Sequence, residues 1–189
     1  MTEKEAFMRS VTIVCDTREK ENGHIISAFD DWKVKHEERK LDVGDYSFLV
    51  AERDFCLSCA IERKSGVEEI YSNIMEPDPK SKSKGSRLEK ELEASSKITN
   101  QFVLLIENCG SMEELKRFVI PDWKMKMCPQ RKVSEIGRLC HPHLRAWQQA
   151  NRYSTTIDFV QDQADTPGRI IETFYYYYRN FKRLIASRR

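Results

Sequence analysis

Short apolar runs alternate with amphipathic segments along this chain of 189 residues. The runs at 11–15 and 102–106 are apolar at nearly every position, which predicts strands covered on both faces. Four further β-rich segments, most with at least partial alternation of apolar and polar residues, are also predicted as strands: 32–41, 46–50, 55–61 and 155–160. A tight turn around Glu52-Arg53-Asp54 is expected to join the second and third of these.

Helical patterns separate the strands. After Ser65-Gly66, apolar residues at Val67, Ile70 and Ile74 recur at the spacing that places them on one helical face. Thr166 is predicted as the N-cap of a final helix, with Pro167 in its first turn. The other predicted helices cover 24–29, 87–97, 111–120 and 133–152. This alternation predicts an α/β fold with a mixed central β-sheet flanked by helices.

The length of the chain suits a single domain, which we predict over residues 1–189. Its core is expected at 11–108 and 154–185, with a helical and basic insertion at 110–152. No apolar run approaches the roughly 20 residues of a membrane span, and the N-terminus lacks a signal-peptide pattern. Six cysteines without such a signal predict reduced thiols, so we expect an intracellular protein without a membrane partner.

The formal net charge of +2 is uninformative, but the charges are unevenly distributed. Acidic residues cluster before residue 70, whereas basic residues gather at 80–90, 116–132 and 179–189. Basic clusters of this kind bind phosphate backbones or simply form a solvated face. The candidate DNA-binding residues are Lys80, Lys82, Lys84, Arg87, Lys90, Lys124, Lys126, Arg131 and Lys132.

Three acids and a lysine form the main chemical constellation. Asp16 follows the first strand, Asp45 follows Gly44 in a turn, and Glu62 and Lys64 end another strand. Residues two apart on a strand share a face, so the side chains of Glu62 and Lys64 should project together. Carboxylates bind Mg²⁺, and a neighbouring lysine can orient water and offset charge at a phosphodiester. A surface salt-bridge network is the alternative interpretation of the same residues.

These residues occur in an ordered set of motifs. Asp16-Thr17-Arg18-Glu19, Gly44-Asp45 and Glu62-Arg63-Lys64 are followed by Arg87-Leu88, Leu104-Leu105-Ile106-Glu107 and Thr166-Pro167. The set resembles the XPF-type structure-specific nucleases of the PD-(D/E)xK superfamily, strongly over 11–108 and weakly over 154–185. The resemblance implies a restriction-endonuclease-like nuclease core. It also implies a metal-dependent DNA endonuclease, active on branched DNA or single-strand/double-strand junctions in repair or recombination.

The resemblance assigns a role to each matching position. It implies Mg²⁺ (or Mn²⁺) bound by Asp16, Asp45, Glu62 and the backbone carbonyl of Arg63, with Lys64 as the catalytic lysine. Supporting roles fall to Arg18, Glu19, Glu68 and Glu107, and Glu68 stands where the family motif has Asp. The loop at 76–86 is longer and more basic than the family's, and we expect no helix-hairpin-helix domain.

The alternatives at this point are a Holliday-junction-type resolvase, a nicking nuclease, a non-catalytic DNA-binding scaffold subunit and a protein-interaction module. The expected partners are DNA and either a second copy of the chain or another nuclease-like subunit.

Two further groups of residues have competing interpretations. Cys56 and Cys59 have the spacing of one half of a zinc site, but we predict that they pack in the core. Four further possible zinc ligands match no common zinc signature: Cys128, Cys140, His141 and His143. Tyr175 to Tyr178 cover most of a helix circumference. Some of these rings should pack in the core, and others could face a partner or stack on bases.

Overall fold

The structure is a computed structural model that describes residues 1–75, 86–127 and 133–187. Seven strands lie in these residues: β1 (Val11–Cys15), β2 (Lys35–Glu38), β3 (Tyr46–Val50), β4 (Arg53–Asp54), β5 (Cys59–Lys64), β6 (Gln101–Glu107) and β7 (Thr155–Val160). The sheet has the strand order β2-β1-β3-β5-β6-β7, and β4 pairs with β3. Strand β1 pairs parallel with β2 and antiparallel with β3, so the predicted mixed sheet is confirmed.

The same described residues contain eight α-helices: α1 (Glu3–Ser10), α2 (Gly23–Asp31), α3 (Val67–Met75), α4 (Arg87–Ile98), α5 (Met112–Arg117), α6 (Asp122–Met127), α7 (Ile136–Gln149) and α8 (Thr166–Ala186). The predicted core face of α3 is confirmed, since Val67, Ile70 and Ile74 are all buried. No helix of this part of the chain has both the length and the apolar character of a membrane span.

Two predicted strands are shorter or displaced. The prediction over 32–41 is wrong at its start, because α2 runs to Asp31 and Lys33 has a positive φ of 56°. Only Lys35–Glu38 forms a strand there. The predicted strand 55–61 is interrupted by a turn in which Ser58 N and Cys59 N donate to the Phe55 carbonyl at 2.8 and 3.0 Å. Strand β5 therefore begins at Cys59 and extends to Lys64.

Several helix predictions also need correction. Helices α1 and α6 were not expected, and Thr166 is the first residue of α8 rather than its N-cap, which is Asp165. The basic segment expected at 76–85 lies outside the described residues, as does 128–132.

The chain divides into two compact units, and the first contains residues 1–62, 98–102 and 164–189. Its core is aromatic: the Phe48 ring stacks on Phe55 at 4.6 Å and on Phe174 at 4.7 Å between centroids. Phe7 of α1 packs against Tyr175 of α8 at 5.7 Å. Large buried aromatic rings of this kind dominate core energetics, so they fix α1 and α8 against β3.

The second unit contains residues 63–97 and 103–163. Helix α7 contacts both α3 and α5. Gly137 allows the close approach to α5, because a Cβ at this position would collide with the carbonyl oxygen of Leu115. Pro142 lies inside α7, where its ring removes one helical hydrogen bond.

Candidate functional site

Asp16 is a buried carboxylate directly after β1 in the first unit. Its Oδ1 accepts hydrogen bonds from Arg18 N at 2.7 Å and from Arg18 Nε at 2.6 Å. Its Oδ2 accepts from Arg18 Nη2 at 3.0 Å and from Leu41 N at 2.6 Å. These charge-assisted bonds hold the carboxylate in one orientation.

Asp45 and Glu62, the other two motif acids, also act on the Arg18 guanidinium. Burial alone raises the pKa of Asp16, but the hydrogen bonds from Arg18 and Leu41 outweigh it and hold that pKa below its ordinary value. The pKa of Arg18 is raised, first by its hydrogen bond to Asp16, against the opposing effect of burial. Attraction from Asp16, Asp45 and Glu62 raises it further, so all three carboxylates act on this one cation.

Backbone hydrogen bonds align the three acidic positions across neighbouring strands. Asp16 N donates to the Asp45 carbonyl at 2.8 Å, and Asp45 N donates to the Ile61 carbonyl at 2.8 Å. Gly44 permits the hydrogen bond between Asp45 N and Ile61 O. Its φ of +76° is unfavourable for other residues, and a Cβ would lie only 2.9 Å from Ile61 O. The backbone therefore places Asp16, Asp45 and Ile61, the residue before Glu62, at adjoining positions of neighbouring segments.

Lys64, two residues after Glu62 on β5, has a side chain that is only 2% exposed. In the second unit its Nζ lies 3.3 Å from Glu91 Oε2 and 3.7 Å from Glu69 Oε1. Glu91 also accepts from Arg87 Nε at 3.0 Å, so one carboxylate joins Lys64 to the motif arginine. The sequence motifs did not indicate Glu69 or Glu91, although the i,i+4 spacing of Arg87 and Glu91 was a usable signal.

Arg63 and Glu107 form a buried ion pair in the second unit, with 2.7 Å between Nη1 and Oε2. The Glu107 carboxylate is thus engaged with the side chain of Arg63, while the backbone carbonyl of Arg63 was the predicted ligand. Removing one partner of a buried pair is far more damaging than removing both. This pair anchors the middle of the Glu62-Arg63-Lys64 motif to β6.

The remaining supporting acids have separate environments. Glu68, in the first turn of α3, accepts from Lys124 Nζ at 2.8 Å. Glu19 is half-buried in the first unit and accepts from Glu21 N at 3.0 Å.

The predicted DNA-binding residues are only partly described. Arg87 and Lys126 are exposed, whereas Lys90 and Lys124 are half-buried. Five candidates lie outside the described residues: Lys80, Lys82, Lys84, Arg131 and Lys132.

The donor chemistry of the acids suits a hard divalent cation. Mg²⁺ prefers oxygen ligands and commonly binds through one or two protein carboxylates. Asp45 and Glu62 supply such oxygens beside Arg18, whereas both oxygens of Asp16 already accept hydrogen bonds from Arg18 and Leu41. Over 1–75, 86–127 and 133–187, no group of three or more His, Cys, Asp or Glu side chains is arranged to hold a metal ion. The residues therefore fit Mg²⁺ held by two carboxylates.

The cysteines that the structure describes are free thiols. Cys59 is a core residue, buried in β5, and this burial raises its pKa to about 12. Cys140 is also buried, with a pKa raised by burial to about 12, while Cys128 lies outside the described residues.

The tyrosine run of α8 divides between core and surface. Tyr175 is buried against Phe7, and the rings of Tyr177 and Tyr178 pack edge-on against Phe55 at 6.1 and 5.8 Å. Tyr176 is exposed. Core packing therefore accounts for three of the four rings.

Comparisons with known proteins identify the family. A sequence profile of the ERCC4 domain matches residues 15–127. A search of curated proteins found no match. A solved structure of XPF from Aeropyrum pernix is similar, with a TM-score of 0.58, 16% identity, and coverage of 93% of this chain and 69% of that chain.

A second XPF structure from Aeropyrum pernix, in complex with DNA, has a TM-score of 0.57 and 15% identity. The match covers 89% of this chain and 65% of that chain. At such identities the likeness establishes the fold alone, and it confirms the predicted α/β fold. The profile match confirms the resemblance to the XPF-type family. Because the profile match spans more than half of the sequence and includes all three acids and Lys64, this chain belongs to the ERCC4 domain family.

Proposed function

We propose that this chain is a metal-dependent DNA endonuclease that hydrolyses phosphodiester bonds at branched DNA or at single-strand/double-strand junctions. The observation that carries the proposal is the backbone alignment of the motif positions, in which Asp16 N donates to the Asp45 carbonyl and Asp45 N donates to the carbonyl of Ile61, the residue before Glu62, each at 2.8 Å. Lys64 follows Glu62 by two residues on the same strand. Membership of the ERCC4 domain family supports the same chemistry.

The acids would hold the metal ion. We assign Asp45 and Glu62 as the carboxylate ligands, with the Arg63 carbonyl as a further ligand. Asp16, whose two oxygens already accept hydrogen bonds from Arg18 and Leu41, would join them only by exchanging one of those bonds for the metal. When bound, Mg²⁺ or Mn²⁺ polarises the phosphate, helps to generate hydroxide and stabilises the leaving oxygen. Arg18 partly neutralises the negative charge of these acids. Without a nearby cation, repulsion between carboxylates would disfavour their ionised forms.

Lys64 would act on the reacting phosphodiester. Its ammonium can orient the attacking water and offset the negative charge that develops in the transition state. Glu69 and Glu91 restrict where that ammonium lies, because both carboxylates are within ion-pair distance of Nζ. A preorganised charge of this kind stabilises a transition state more than a mobile one.

Exposed basic residues would bind the DNA backbone. Arg87 pairs with Glu91 but has a largely exposed side chain, and Lys124 and Lys126 lie on α6. The XPF structure in complex with DNA supports DNA as the partner. We propose the same role for the other basic candidates named from the sequence. We also propose that the protein is intracellular and that it assembles with a second nuclease-like subunit.

A cleavage panel tests the proposal. The full chain is incubated with fork, flap, four-way, nicked, linear and single-stranded DNA, in the presence of Mg²⁺, Mn²⁺ or EDTA. We expect metal-dependent cleavage, and a loss of about a hundredfold or more in Asp45→Asn and in Lys64→Ala with DNA binding retained. Asp42→Asn is the matched control, because Asp42 is an exposed acid three residues from Asp45.

The panel also separates the alternatives. A preference for four-way or nicked DNA would favour the resolvase or nicking activity on the same core. Binding without cleavage of any substrate would support the non-catalytic scaffold, and absence of any salt-dependent DNA affinity would support a protein-interaction module. Unchanged cleavage in both Asp45→Asn and Lys64→Ala would remove the assigned site.

A further inference from the structure

Helix α6 of the second unit carries an exposed tryptophan, and both α6 and the preceding α5 carry exposed cations. Trp123 is 61% exposed, and Met127 at the end of the same helix is 74% exposed. Large apolar side chains of this kind are usually buried, and an exposed indole leaves a large apolar surface in water. The surface is therefore suited to a partner that covers an aromatic ring.

The exposed charges of α5 and α6 indicate the chemistry of that partner. Lys116, Arg117 and Lys126 are exposed, and within the part of the chain that the structure describes none of them forms an ion pair. Lys124 lies with its Nζ 5.6 Å from the centroid of the Trp123 ring. Charged side chains are depleted from the centres of protein interfaces, whereas cations beside an exposed aromatic ring are typical of single-stranded nucleic acid sites.

A chain of contacts within the second unit connects Trp123 to the proposed site. The Lys124 ammonium that faces the indole also donates to Glu68 at 2.8 Å. Glu68 precedes Glu69, whose Oε1 lies 3.7 Å from Lys64 Nζ. The side chain of Lys124 thus connects Trp123 to the first turn of α3, which contacts the proposed catalytic lysine, Lys64.

We propose that Trp123 stacks on an unpaired base of single-stranded DNA, while the cations of α5 and α6 contact the flanking phosphates. The proposal rests on the nuclease function proposed above and specifies how an unpaired strand is held near the scission point. A flat indole fits any base, so this contact selects for unpaired DNA without selecting a sequence. Fully paired DNA has its bases stacked inside the duplex and offers no face to Trp123.

Binding measurements without cleavage test the stacking. The full chain in EDTA is titrated against fluorescently labelled (dT)12 and against a blunt duplex of matched length, with anisotropy as the readout. We expect Trp123→Ala to weaken (dT)12 binding by about 5- to 150-fold, which is the range for one base–aromatic stack. Blunt-duplex affinity should stay within about twofold, and Trp123→Phe should regain much of the (dT)12 affinity.

Trp32→Ala is the matched control, since Trp32 is 44% exposed but lies in the first unit at the end of α2. Equal (dT)12 affinity of Trp123→Ala and the wild type, with circular dichroism showing both folded, would overturn the proposal. An equal loss for (dT)12 and duplex would also overturn it, because stacking requires an unpaired base.

The outcome is distinguishable from failure of the nuclease proposal. If the wild type cleaves DNA but Trp123→Ala binds (dT)12 normally, only the stacking is wrong. If the wild type cleaves nothing in the panel while Trp123→Ala loses (dT)12 affinity, the stacking holds and the catalytic proposal fails.

Discussion

At the scale of single residues, Glu91 links the proposed catalytic lysine, Lys64, to the motif arginine, Arg87. It lies 3.3 Å from Lys64 Nζ and 3.0 Å from Arg87 Nε. We expect Glu91→Gln to keep the shape of the side chain but weaken its hold on both cations, because charge-assisted bonds are about twice as strong as neutral ones. The turnover number for cleavage should fall by about tenfold with little change in KM, since positioning affects the transition state most.

Steady-state cleavage kinetics check this expectation. Glu93→Gln is the control, because Glu93 lies on the same helix and pairs with the exposed Lys97 at 2.9 Å. Equal kinetics in Glu91→Gln and the wild type would show that Glu91 does not position Lys64. A fall of the same size in Glu93→Gln would attribute the effect to α4 as a whole.

The residue scale also shows where sequence motifs stop being informative. Asp16, Asp45 and Glu62 were named from their motif positions, and all three raise the pKa of Arg18. The sequence did not indicate that both oxygens of Asp16 accept hydrogen bonds, one of them from Leu41, which is 25 positions away. Long-range contacts of this kind depend on how the chain packs, and local patterns do not encode them.

At the scale of elements, Gly44 determines how the start of β3 meets β5. Its backbone is left-handed, and a Cβ would lie 2.9 Å from Ile61 O and 3.1 Å from Ala60 Cβ. We expect Gly44→Ala to lower the free energy of unfolding by about 1–3 kcal/mol through backbone strain alone. It should also reduce cleavage, because Asp45 N donates to the same Ile61 carbonyl.

Urea unfolding and cleavage assays on the same preparation measure both effects. Gly23→Ala is the control, since nothing lies within 4 Å of the Cβ it would add at the start of α2. Alanine in a helix is favoured over glycine by about 1 kcal/mol, so Gly23→Ala should be neutral or stabilising. Wild-type stability in Gly44→Ala would show that the turn tolerates a side chain.

Element types were more predictable than element ends. Buried apolar runs identified β1 and β6, because a strand covered on both faces leaves a nearly continuous hydrophobic signal. Helix α1 was missed although Thr2 and Glu5 form a capping box, with Thr2 N donating to Glu5 Oε2 at 2.7 Å. The Thr-x-x-Glu spacing was a usable signal that the charged N-terminus obscured.

At the scale of the whole molecule, the proposed DNA binding of this nearly neutral chain would depend on local charge. The formal net charge is +2, yet α5 and α6 carry three exposed cations, Lys116, Arg117 and Lys126, that form no ion pair within the described chain. Counterion release depends on the number of phosphates that the protein neutralises and not on its net charge. DNA affinity should therefore follow the local cluster.

Two triple variants with the same change in net charge separate local from global electrostatics. We expect Lys116→Gln, Arg117→Gln and Lys126→Gln together to reduce the slope of log K against log salt for (dT)12 by up to about 2, at roughly 0.7 for each phosphate that is no longer neutralised. The variant with Lys20, Lys33 and Lys35 changed to Gln removes three exposed cations of the first unit and should keep the wild-type slope. Because both variants lose three positive charges, an equal fall in slope would mean that overall charge drives binding. A fall confined to the α5–α6 variant would make local phosphate contacts the source of affinity.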